Sequence, residues 1–147
     1  MNNIFDNDPL SSIEVELQIT RRILSIPFVE IENQDTLVSV RIYHRSVFNI
    51  EQHRNYSIIT LLNYCTRLKR QLVLDGVTVS NLDDIAQIFK KKRISAGETL
   101  TSVALKIGVL PKILKKIEDG KTYTRNTLLK YILYYNIKVE LTPFPIS

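Results

Sequence analysis

The stretch 99-TLTSVALKIGVLPKILKKIEDGK-121 decides the fold. Leu100, Val103, Ala104 and Ile107 recur at three- and four-residue steps, Gly108-Val109 interrupts, and Ile113, Leu114 and Ile117 resume the period until Gly120 ends it. The spacing predicts two short helices around a glycine turn. Thr99 can cap the first by accepting an amide hydrogen bond, Gly108 can take the positive φ that a sharp turn needs, and Pro111 suits a first helical turn. Leu114 and Ile117 fall on the inward side of the second helix, which leaves Leu110, Lys112, Ile113, Lys115 and Lys116 facing outward.

The flanks supply two more helices. Ser80 followed by Asp83 reads as a capping box before a helix carrying Ile85, Ala86, Ile88 and Phe89, closed by the basic run Lys90 to Arg93. After Gly120, the residues Lys121 to Arg125 form a connection. Thr127 is the expected cap of a last helix with Leu128, Leu129, Ile132, Leu133 and Tyr135, ended by Asn136-Ile137. The tail IKVELTPFPIS cannot be helical at Pro143 and Pro145; it suits an edge strand added to the first half of the chain or to a second subunit.

Residues 99–121 and their flanks resemble the Xre-like helix-turn-helix domains of phage repressors and Cro-type proteins, which bind operator DNA. The match is carried by Thr99, Ala104, Gly108-Val109 and Ile117-Glu118-Asp119-Gly120-Lys121, and covers about residues 82–139. It departs in a longer loop at Ile94 to Glu98, and in Leu100, where family members often place a glutamine. The resemblance implies a four-helix bundle whose third helix, Leu110 to Asp119, enters the major groove. The DNA-binding set it implies is Thr99, Leu110, Lys112, Ile113, Lys115, Lys116, Lys121, Thr122 and Arg125. The outward side chains are lysine and aliphatic, a kit for phosphates and thymine methyls with little hydrogen bonding to base edges.

Ahead of this half, IEVELQI (13–19) alternates apolar and polar, which favours a strand, although Ser11, Glu14, Leu17 and Leu24 also fit an amphipathic helix stopped by Pro27. On the strand reading, Glu14 and Glu16 face solvent. PFVEIE (27–32) and TLVSVRIY (36–43) continue a small antiparallel meander. Asn55 to Leu72 has helical spacing, with Arg67, Lys69 and Arg70 at its C-terminal end, and Asp75-Gly76 in VLDGVTV (73–79) either forms a hairpin or ends that helix. The fold class expected is α+β: a small α+β region over 1–79, a helix-turn-helix domain over 80–139 and an extended tail over 140–147.

Charge follows the same division. Residues 1–81 carry eight Lys or Arg against nine Asp or Glu, whereas residues 82–147 carry twelve against six, so the excess behind the net charge of +5 lies with the predicted DNA-binding half. Arg41, His44, Arg45, His53 and Arg54 form a loose cationic cluster, read as solvated or locally paired. The two histidines lack ligand spacing, so no metal site and no cofactor are expected. The single cysteine, Cys65, lies in an apolar helical pattern and reads as an inert buried thiol. No segment is long and apolar enough for a membrane, and a cytoplasmic address is expected. No glycine-rich phosphate loop or nucleophile elbow points to an enzyme.

The expected function is therefore a repressor-like or antitoxin-like transcriptional regulator binding double-stranded DNA as a homodimer, with residues 1–79 available for dimerisation or a protein partner. The alternative is a protein-interaction module built on a degenerate helix-turn-helix, for which exposed Leu110 and Ile113 are the motive.

Overall fold

Asp8 and Pro9 start the first helix. The Asp8 carboxylate accepts the Ser11 amide at 3.0 Å, and Pro9 occupies the first position, where its missing N–H is harmless. A computed structural model describes residues 8–23 and 44–145. Over these the protein is α+β, with seven helices and a three-stranded antiparallel sheet of order β2-β1-β3. The strands expected at 27–32 and 36–43, and Arg41, lie outside the described residues.

Helix α1 spans Pro9–Ile23, which corrects the strand expected over 13–19. Both periods were present in the sequence, and the helical one prevails: Leu10, Ile13 and Leu17 are buried, while Val15 and Ile19, inward on the strand reading, are exposed. Glu14 is corrected with it. Far from facing solvent, it is completely buried, accepting hydrogen bonds from Arg125 Nε at 2.6 Å and Nη2 at 3.0 Å and from the Tyr56 hydroxyl, with His53 Nδ1 at 2.7 Å. Glu16 is exposed.

Helix α2 (His44–Glu51) is tied to α1 by a second buried carboxylate. Glu51 takes a two-pronged bond from Arg21, at 2.7 and 2.9 Å, and a third from the Tyr64 hydroxyl at 2.6 Å. Of the cationic cluster, His53 is thus paired locally, and Arg54 lies over the Phe48 ring at 5.2 Å. Helix α3 (Ile58–Arg67) carries Tyr64 and Cys65; burial pushes the Cys65 thiol up to about 12, which leaves it inert.

The α3 helix stops at Leu68, short of the expected Leu72, because Lys69 turns at a positive φ and Arg70 enters β1 (Arg70–Leu74). Asp75 and Gly76, at φ 49° and 78°, make the two-residue hairpin to β2 (Val77–Val79). On the other side, β1 pairs with β3 (Val139–Pro143) from Arg70↔Pro143 to Leu74↔Val139, so the tail joins the first half of the chain. Helices α4 (Leu82–Ser95), α5 (Leu100–Ile107), α6 (Pro111–Glu118) and α7 (Arg125–Tyr135) lie between β2 and β3. One apolar cluster draws on both sides of residue 80, including Leu10, Ile58 and Leu72 with Phe89, Leu114 and Tyr131.

Arg125 couples the two halves. Besides Glu14 it reaches Asp8 at 2.8 Å, and its backbone amide donates to the Tyr56 carbonyl. Removing one partner of a buried ion pair strands the other, so Arg125→Met is expected to lower stability by about 3–5 kcal/mol in urea unfolding. Burial alone would raise the Asp8 carboxyl, but hydrogen bonds from Arg125 and Ser11 outweigh it and hold the value below the ordinary 3.8. Asp8 therefore contributes stability that is complete above pH 3.8 and lost as pH falls through its lower folded value. Asp8→Asn should flatten the stability–pH profile in that acid window and leave its neutral-to-alkaline shape unchanged.

Candidate nucleic-acid interface

Four local signals place the helices of the C-terminal half. The α4 cap is Asn81 rather than Ser80: its side chain accepts the Asp84 amide at 2.9 Å, and Asp84 accepts the Ser80 amide at 2.8 Å. The box exists, one residue later than the sequence suggested, because Asn at the cap and Asp in the first turn serve as well as Ser and Asp. Thr99 caps α5 through the Ser102 amide at 3.1 Å. Gly108 closes α5 at φ 76°, and Pro111 opens α6 behind Leu110.

The inner faces of α5 and α6 are those expected: Val103, Ala104, Leu114 and Ile117 are fully buried. The small side chain of Ala104 permits close approach at the turn. At the far end of α6, Gly120 adopts φ 75°, and a Cβ there would fall 2.0 Å from Asp83 Oδ1, so this glycine serves both the turn and the contact with α4.

A feature that sequence reasoning missed anchors α6 from behind. Arg93, at the end of α4, grips Glu118 through Nε and Nη2 at 2.8 and 2.9 Å, and its Nη1 donates to the Glu98 carbonyl at 2.9 Å. The Tyr131 hydroxyl adds a bond to Glu118 at 3.1 Å, and the Tyr131 ring stacks on Phe89 with centroids 4.2 Å apart. In the sequence, Arg93 was one of four cations in a run; its partner lies 25 positions away. Glu98 ties the α4–α5 loop to α7 by accepting from Tyr134, from Tyr135 at 3.3 Å and from Lys106 at 3.0 Å. The Tyr134 bond, then that of Lys106, holds the Glu98 carboxyl below its usual value.

The residues expected at the DNA divide into an outer and an inner group. Thr99, Leu110, Lys112, Lys115, Lys116, Lys121 and Thr122 are exposed, and Ile113 is half-buried. Lys112, Lys116 and Lys121 form no ion pair among the described residues, and Lys115 has only Asp119 at 3.4 Å. Thr122 is partly engaged, its Oγ1 2.7 Å from Ser57 Oγ. Arg125 is corrected: it is buried against Glu14 and Asp8 and offers nothing to a phosphate. The α7 cap position is Thr124, not Thr127, because Arg125 must enter the helix to reach α1. Asn136 ends α7 at φ 52°, the left-handed geometry a glycine would otherwise supply.

No protein-family model, curated protein or solved structure matches the chain. Among the described residues no helix is long and apolar enough to cross a membrane, and no three His, Cys, Asp or Glu side chains group as a metal site.

Loss of the Arg93 clamp should loosen α6 selectively. Glu118→Gln is expected to lower stability by about 3 kcal/mol and to speed amide hydrogen exchange in α6 more than in α3. Equal acceleration in both helices would contradict a local anchoring role.

Proposed function

We propose that the chain is a DNA-binding transcriptional regulator, repressor-like or antitoxin-like, that acts as a homodimer in the cytoplasm. Helices α4 to α7 are read as a helix-turn-helix bundle with α6 as the recognition helix. The observation that carries this reading is the exposed basic face of α6: Lys112, Lys115 and Lys116, continued by Lys121, are barely neutralised, while the helix behind them is braced by the Arg93–Glu118 pair. Ammonium groups on a rigid, convex helix suit phosphates, and the resemblance at Thr99, Gly108 and Ile117 to Lys121 supplies the orientation. Leu110 and Ile113 are left to touch thymine methyls.

Dimerisation is assigned to the N-terminal half. Val15, Ile19 and Ile23 stand at four-residue steps on α1, 41, 51 and 75% exposed, an apolar stripe that suits a second copy. A two-fold protein would read half-sites about 34–36 Å apart, one DNA turn.

A second reading, a protein-interaction module, is favoured by Leu105 and Leu110, which are 83 and 58% exposed beside the lysines. Pull-down with and without nuclease separates the two, since a protein partner survives digestion.

In gel shifts against the chain's own promoter region, binding should weaken steeply with salt, and reversal of Lys112, Lys115 and Lys116 to Glu should abolish it. Single Lys→Ala changes should each reduce the log–log salt slope by about 1. Binding retained by the triple variant would remove α6 from the interface.

A further inference from the structure

The β1–β2 turn, α4 and the junction of α7 with β3 border an open groove of about 960 Å³. That lies at the upper end of the range of small-molecule pockets, which are mostly apolar with a few placed polar groups. The groove has this character. Val77, half-exposed on the short edge strand β2, and Ile88 of α4 form apolar walls. Tyr135 forms a third, held by its neighbours: it stacks on Tyr131 at 5.5 Å, meets Tyr134 edge-on at 4.8 Å, and its hydroxyl is engaged by Glu98. An aromatic surface fixed on three sides is preorganised for a ligand.

The rim is cationic. Lys91, Lys92 and Lys138 line it with two carboxylates, Asp75 and Glu140. Each carboxylate already holds a lysine: Asp75 sits 2.5 Å from Lys92, and Glu140 2.9 Å from Lys138. Asp75 is held further by the Lys138 amide at 2.8 Å, which keeps it on the turn. Lys91 forms no ion pair among the described residues and projects at the groove. An apolar cleft with an unneutralised ammonium at its edge complements a molecule with an apolar body and one negative group.

We propose that this groove is a binding site for a small amphipathic monoanion, an aliphatic or aromatic carboxylate or sulfonate. Its body lies against Val77, Ile88 and Tyr135, and its anionic group pairs with Lys91. Lys92 can turn to it as well, because a half-exposed ion pair is held only weakly in water. The site shares no residue with the basic face of α6, so it stands independently of the DNA-binding reading.

The test is a fluorescence titration of the full-length protein with 8-anilinonaphthalene-1-sulfonate. One saturable site is expected, with Lys91→Glu and Val77→Asp each weakening the dye at least tenfold at unchanged melting temperature. Decanoate and 1-naphthoate should displace the dye, separating aliphatic from aromatic preference, whereas decyltrimethylammonium should not. Lys91 is exposed and forms no ion pair among the described residues, so its variant decides the matter if Val77→Asp does not fold. Equal dye affinity in wild type and Lys91→Glu, or equal displacement by the cationic amphiphile, would overturn the proposal.

Discussion

Everything in this structure hangs on Arg125 reaching back 111 residues to Glu14. A guanidinium at the start of α7 and a carboxylate in the middle of α1, both removed from water, have almost no alternative partners that would leave neither stranded. A buried pair of this kind is a modest source of net stability but a heavy penalty on misdocking. The constraint is sharpened by geometry: Arg125 uses Nε and Nη2 on Glu14, adds Asp8, and its own amide is held by the Tyr56 carbonyl, while Tyr56 donates to the same Glu14. Three segments that are distant in sequence thereby share one register. With the first turn of α7 set, Tyr131 two turns on meets Phe89 and Glu118, and the position of α6 follows.

The elements legible from the sequence are those whose signals are local. Thr99, Gly108, Pro111 and Asn136 each act within one helix turn of themselves, and α5, α6 and the ends of their neighbours could be read from them directly. Inward Leu114 and Ile117 followed from period alone. Elements decided by distant partners were not legible. In α1 the apolar residues satisfied both a two-residue and a four-residue repeat, and what decided between them was whether Glu14 could be buried, a question whose answer lies at Tyr56 and Arg125. The end of α3 is set by the pairing of β1 with β3, some seventy residues on in the chain. Arg125 was expected at a phosphate because the resemblance groups it with Lys121 and Thr122 in the connection that follows α6, and nothing local marks its distant partners.

The two kinds of cation separate in a way that their count conceals. Arg21, Arg93 and Arg125 each engage an interior carboxylate through more than one nitrogen, as the planar fork of guanidinium favours, whereas Lys112, Lys115, Lys116 and Lys121 stay in water. The arginines therefore build the fold and leave the lysines as the external field. Toward a ligand the positive excess of the second half is less than its formal total, because Arg125 is taken up by Glu14 and Asp8, but three of the lysines left in water stand together on α6, with Lys121 just past its end.

That concentration bears on selectivity. On the proposed reading, a face of ammonium groups with Leu110 and Ile113 between them holds DNA firmly without arginine, glutamine or asparagine at the base edges, so direct readout contributes little. Discrimination must then come from what the backbone contacts sense, namely groove width, bendability and the distance between half-sites. Those depend on how rigidly α6 is presented and how two copies are spaced. The first is governed by Arg93 and Glu118 behind the helix, the second by whatever covers Val15, Ile19 and Ile23 on α1. On the same reading, Arg125 joins α1 to the bundle through a buried pair, so a change in how two copies dock on α1 would have a direct route to the helix that faces the DNA.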